Sequence, residues 1–171
     1  PAPAISLSQQ WKMPSWVNEL GGDVYFYPHF DPPLGIKIPI VFVVHDLIPI
    51  IVPGYVQRFA AAKKFYFQSM VKAAVARSHR CMAVSKTTAA DVIGLVGEKH
   101  RHKVAVAYEG PVLDVGGEAP VLPDRLEINY PYFLYVGDRR PHKNLKRVVD
   151  MFFLLRDIHG YQGKLLLVGS T

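Results

Sequence analysis

Two short clusters in this chain hold the side chains best suited to chemistry. Asp138-Arg139-Arg140-Pro141-His142-Lys143 packs three fixed cations and a histidine into one short stretch. Arginine can grip phosphate oxygens bidentately and lysine adds a compact point charge, so the stretch suits a diphosphate. The second cluster, His45-Asp46, sets an imidazole beside a carboxylate. Placed at the end of a buried strand, that pairing suits a catalytic or ligand-contacting role. Plainer readings stand beside both: a solvated charged loop in the first case, a turn-capping aspartate and a packed histidine in the second.

The surrounding residues place both clusters at strand ends. Tyr132-Phe133-Leu134-Tyr135-Val136 reads as a buried parallel strand, Gly137 as a turn, and Asn144 as the opening of an amphipathic helix. Ile40-Val41-Phe42-Val43-Val44 is apolar and mostly β-branched, as a strand covered on both faces should be, and it ends on His45. In an open α/β sheet, ligands bind beyond the carboxyl ends of the strands, and a helix N-terminus there attracts anions.

The other elements follow in order. Residues 1–20 carry several prolines and read as irregular, with one short helix near Ser15 to Leu20. Asp23 to Tyr27 reads as a short buried strand, and a proline-rich loop runs on to Pro39. Val56 to Arg77 spaces its apolar residues as a helix does. Arg80 to Val84 is a strand, and Ser85 is a good N-cap for a helix reaching about Val96. Lys103 to Tyr108 reads as a further strand. Residues 112–131 are rich in glycine, proline and acids and read as a linker. A helix from Asn144 to about His159 places Leu145, Val148, Val149, Phe152 and Leu155 on one face. Lys164 to Val168 closes the series as a strand. The expected class is α/β, with Rossmann-like parallel sheets flanked by helices, divided into 1–111, the linker 112–131, and 132–171. The alternative is that the last two strands join the first sheet in one domain.

Composition sets bounds. Half of the 171 residues are hydrophobic and 20% are charged, which predicts a packed core. A single cysteine, Cys81, excludes an internal disulfide framework and fits a reducing compartment. No apolar run reaches the roughly 18 residues that a membrane span needs. The net charge is +6, and its excess lies between Val56 and Lys103, where ten Lys/Arg face two acids. A basic region of this kind attracts phosphates on lipid, nucleotide or nucleic acid.

Three motifs in order then resemble a known family: His45-Asp46-Leu47-Ile48-Pro49, Val84-Ser85-Lys86-Thr87-Thr88, and Tyr132 to Leu145 with Gly137 six residues before Lys143. From about Gly22 onward the chain is similar to the GT-B glycosyltransferases of family 4, the "group 1" set. The resemblance implies two Rossmann-like domains and transfer of a hexose, of mannose or glucose type, from a GDP- or UDP-sugar to a saccharide or lipid-linked acceptor. It implies retention of anomeric configuration, no metal and no separate cofactor. It also implies a cytoplasmic protein, with peripheral association at the inner face of an anionic membrane as one use of the basic region. By position, Lys143 with Arg139 or Arg140 would hold the donor diphosphate. His45 would be the catalytic-side residue in the cleft, with Asp46, Ser85 and Gly137 in contact with substrate. Many members carry arginine directly after the strand glycine. Here Asp138 stands there, so Arg139 or Arg140 must supply that charge. The family's N-terminal glycine-rich loop and its two-glutamate motif would fall outside residues 1–171, so a partial, singly inactive chain is expected. The competing readings are a non-catalytic α/β module and a polyanion-binding module using residues 56–103. No nucleic-acid motif accompanies that region, and a nucleic-acid partner is not expected.

Overall fold

The computed structural model describes residues 7–52, 60–110 and 128–169. It divides into two compact units, Pro1–Pro111 and Val112–Thr171. Each is α/β with parallel strands.

In the first unit, β1 (Tyr25–Tyr27), β2 (Ile40–Val44), β3 (Arg80–Ala83) and β4 (Val104–Val106) form one parallel sheet in chain order. Strand β2 is its centre. Ile40, Phe42 and Val44 are buried on one face, and Val41 and Val43 are half-buried on the other. The apolar, β-branched run noted above therefore does what its composition predicts. Val71, Ala74 and Val75 of α3 (Ala60–Arg77) and Val92 of α4 (Lys86–Val96) complete the core around Phe42, Val44 and Cys81. Burial pushes the Cys81 thiol up to about 12, because the thiolate would lose its hydration.

The structure departs from the sequence-based expectations in several places. Residues 1–20 were expected to be irregular apart from a short helix, yet α1 runs Leu7–Leu20 with Pro14 inside it. Tertiary contacts override the local signal. Gln10 Oε1 accepts from Leu34 N at 3.1 Å, and its Nε2 donates to Asp31 O at 3.3 Å. Asn18 Oδ1 accepts from Lys37 N at 2.8 Å, and its Nδ2 donates to Gly35 O at 3.2 Å. Two side-chain amides two turns apart thus fasten the helix to the proline-rich loop. Strand β1 is shorter than Asp23 to Tyr27, and Phe26 is exposed rather than buried. A short helix, α2 (Ile48–Ile51), follows β2 with Pro49 in its first turn, where a missing N–H costs nothing. The helical reading from Val56 is described from Ala60 onward; residues 53–59 lie outside the described residues. Strand β4 covers only Val104–Val106, because a 3-10 segment, Glu98–Lys103, occupies the preceding residues.

That segment also changes the reading of the basic region. Lys103 Nζ donates to the carbonyls of Val75, Ala76 and Ser78 at 3.1, 2.7 and 2.9 Å. It therefore closes the C-terminal end of α3, where carbonyls lack helical partners. Arg101 pairs with Glu98 at 2.6 Å, and an Arg80 nitrogen donates to the His102 carbonyl. Part of the charge excess is thus spent inside the fold.

In the second unit, β5 (Tyr132–Val136) and β6 (Lys164–Val168) pair in parallel in a separate two-stranded sheet. The alternative of one continuous sheet is therefore not observed. Strand β5, expected to be buried, is largely exposed, with Leu134 at 55% and Val136 at 70%. A two-stranded sheet covered by one helix leaves its other face uncovered among the described residues. Helix α5 (Leu145–His159) does turn the expected face inward. Leu145, Val148, Val149, Phe152 and Leu155 are its half-buried positions. Most of the proposed linker, residues 112–127, lies outside the described residues. No helix among the described residues is long and apolar enough to cross a membrane.

Replacing Lys103 with methionine should lower stability by about 2 kcal/mol, since three carbonyls lose a charged donor. Urea denaturation measures this, and an unchanged midpoint would refute the capping role. Cys81 should be inert to an aromatic disulfide reagent at pH 8 in the native protein and react fully once the chain is unfolded.

Candidate functional site

Because all four strands of the first sheet are parallel, their carboxyl ends share one edge. The segments leaving them carry Pro28, His45, Ser85 and Glu109 in turn. His45 is the junction. Its Nε2 lies 3.0 Å from the Pro28 carbonyl oxygen, and its Nδ1 lies 2.8 Å from Glu109 Oε1. Its own carbonyl accepts from Thr88 Oγ1 at 3.3 Å. His45 is about half exposed, with 47% of its side-chain surface open to solvent. It is thus held at several points and remains reachable. Both ring partners are acceptors, so a ring with one proton can donate to only one of them.

Ser85 and Thr88 explain how the second motif serves the first. Ser85 Oγ accepts from Thr88 N at 3.0 Å and donates to Thr88 Oγ1 at 3.0 Å. The serine is the N-cap of α4, as its position predicted. The buried Thr88 hydroxyl passes the connection on to His45. Asp46, expected to contact substrate, accepts from Ile48 N at 2.9 Å in the turn that leads into α2. This is the capping use weighed for it in the sequence. One face of Asp46 also borders an apolar hollow formed with Phe30, Pro49, Ile50 and Phe67.

In the second unit, the carboxyl ends of β5 and β6 meet at two glycines. Gly137 N donates to Val168 O at 2.9 Å. Gly137 has φ +156° and Gly169 has φ +145°. A Cβ at Gly169 would lie 1.9 Å from the Gly137 carbonyl oxygen, so the approach requires glycine there. The loop beyond is held by Tyr135, whose hydroxyl donates to the Asp138 carbonyl at 2.7 Å.

Asp138 sorts the two arginines. Its carboxylate pairs with Arg140 Nε at 3.2 Å and accepts from Arg140 N at 3.3 Å. Arg139 instead lines the small hollow beside Gly137, Gly169 and Leu145. Among the described residues, neither Arg139 nor Lys143 has an ion-pair partner. Pro141–Lys143 forms a 3-10 turn, and Asn144 then takes a left-handed conformation at φ 55° before α5 begins at Leu145. The Asn144 side chain makes no capping hydrogen bond, so it does not close the first-turn amides that attract anions.

The sequence reading missed Glu109 and the Pro28 carbonyl. Glu109 was seen only as the residue after a strand, and no local pattern ties it to a histidine two strands away.

The profile of Glycosyltransferase Family 4 matches residues 1–114, well over half of the chain, and the chain belongs to that family. No curated protein and no solved structure gives a significant match.

Ser85→Ala should cost about 1 kcal/mol through loss of the N-cap. It should also broaden or shift the His45 imidazole resonances, because Thr88 loses its hydroxyl partner. Unshifted His45 resonances in the destabilised variant would refute the link between the two motifs.

Proposed function

We propose that this member of Glycosyltransferase Family 4 moves a hexose, of mannose or glucose type, from a GDP- or UDP-sugar to a saccharide or lipid-linked acceptor. It does so with retention and without a metal, at the cytoplasmic face of a membrane. The observation that supports this most directly is the Asp138–Arg140 pair. It removes one arginine from competition and leaves Arg139 lining the Gly137 hollow and Lys143 without an ion-pair partner among the described residues, just ahead of a helix N-terminus with no side-chain cap. Fixed positive charge beside free helix amides is what a diphosphate requires.

The chemistry calls for such a site. As the bond from the anomeric carbon to the diphosphate oxygen breaks, the electron pair goes to the leaving group. The anomeric carbon becomes oxocarbenium-like. Fixed cations and helix amides stabilise the departing anion most when its charge is greatest. An acceptor hydroxyl then bonds to the anomeric carbon on the face that the diphosphate leaves, which retains configuration, and its proton passes to the departing diphosphate oxygen. We assign the donor diphosphate to Arg139 and Lys143, with Gly137 providing close backbone approach. We assign His45 to the sugar or acceptor side, with Asp46 and Ser85 supporting the loops around it. The polyanion reading has less to work with, because Arg80, Arg101 and Lys103 are engaged within the fold.

Titration calorimetry with UDP, GDP and ADP tests the assignment. One nucleoside diphosphate should bind best. Arg139→Ala and Lys143→Ala should each weaken it about tenfold or more, the worth of one charge-assisted contact. Arg140→Ala should have a smaller effect. Equal and weak responses to all three nucleotides and to sulfate would remove the donor site.

A further inference from the structure

We propose that Glu109 is the positioning residue for His45. Through Nδ1 it fixes which ring nitrogen is presented to substrate. Glu109 leaves the end of β4 and His45 leaves the end of β2, with β3 between them. The carboxylate therefore reaches across the neighbouring strand's exit to make a 2.8 Å contact with Nδ1. Its side chain is 61% exposed, so the fold does not need it for packing. What it contributes is direction.

A neutral imidazole carries one ring proton, and here two acceptors compete for it. The Pro28 carbonyl faces Nε2 and the Glu109 carboxylate faces Nδ1. A carboxylate is the stronger acceptor of the two, so the proton is drawn to Nδ1. Nε2 is then left with its lone pair beside the Pro28 oxygen, where two acceptors face each other. A sugar or acceptor hydroxyl relieves that opposition by donating to Nε2. Without Glu109 the preference reverses. The proton moves to Nε2, the ring closes onto Pro28, and the atom that would receive the hydroxyl is occupied. The role in turnover rests on the transfer reading above; the pairing does not.

The test is nitrogen-15 NMR of histidine-labelled protein at pH about 8.5, where an ordinary imidazole is neutral. His45→Gln identifies the resonances, and circular dichroism confirms that each variant is folded. The wild type should carry its His45 proton on Nδ1. Glu109→Ala should carry it on Nε2, and Glu109→Gln, which keeps the shape but not the charge, should fall between. The same tautomer in wild type and Glu109→Ala, or a wild-type proton on Nε2, would overturn the proposal. In parallel, release of nucleoside diphosphate from a panel of GDP- and UDP-hexoses should fall at least about tenfold in Glu109→Ala. Calorimetric binding of UDP and GDP should not change. Removing His45 as well should add little, since paired residues act as one unit. A full additive loss in the double variant would refute the coupling. If the wild type releases nothing from any donor, the transfer reading fails, while the tautomer still decides the pairing.

Discussion

The parallel pairing of β2 with its neighbours is the constraint on which the first unit depends. Ile40, Phe42 and Val44 are buried, and the alternate residues are half-covered, so the strand can carry no polar chemistry along its length. Chemistry is possible only where the strand ends, at His45. Because β1, β3 and β4 run the same way, their exits gather at that same edge. Segments far apart in sequence are thereby delivered to one histidine. The Pro28 carbonyl, the Thr88 hydroxyl and the Glu109 carboxylate all reach it from different strand ends. The hydrophobic requirement of the sheet and the location of the site are one fact seen from two sides.

The second unit solves a different problem, that of keeping concentrated positive charge usable. Three cations in a short loop repel one another, and an internal acid is the simplest relief. Asp138 supplies it and selects Arg140 by chain geometry, since the backbone N–H and the guanidinium of the same residue both reach it. Asp138, directly after the strand glycine, is therefore more than a surplus acid. It neutralises one neighbour and leaves the other directed at the glycine turn. Gly137 and Gly169 set the close approach that shapes this hollow, and only glycine tolerates both the dihedral and the contact.

What could be read from the sequence was local and periodic. The apolar run of β2 and the one-sided face of α5 follow from spacing, and Ser85 as an N-cap follows from residue type next to a strand. The cation-rich loop was legible because its residues adjoin one another. What stayed hidden depends on partners brought from elsewhere. Helix α1 contains a proline and has little amphipathic pattern. It exists as a docked element because Gln10 and Asn18 satisfy backbone groups of the loop at Asp31, Leu34, Gly35 and Lys37. Lys103 looked like part of a free basic patch, yet it closes the end of α3. The same limit explains the exposed β5. Its composition asks for cover on both faces, but composition does not state which segment provides it.

Glu109 shows the limit most clearly. Nothing near it in the chain marks it as functional: it follows a short strand and precedes a glycine and a proline. Its importance comes from standing at the fourth exit of a parallel sheet whose second exit carries a histidine. Shifting β4 by one residue against β3 would move its exit, and with it the start of the segment that carries Glu109. The register that pairs Cys81 with Val104 and Ala83 with Val106 therefore sets the environment of His45 as surely as any direct contact. In this arrangement a backbone ladder selects the partner of a side chain, and the ladder is in turn held by the buried residues beneath it. Substitutions in that core, far from His45, would act on it by moving the exit of a strand.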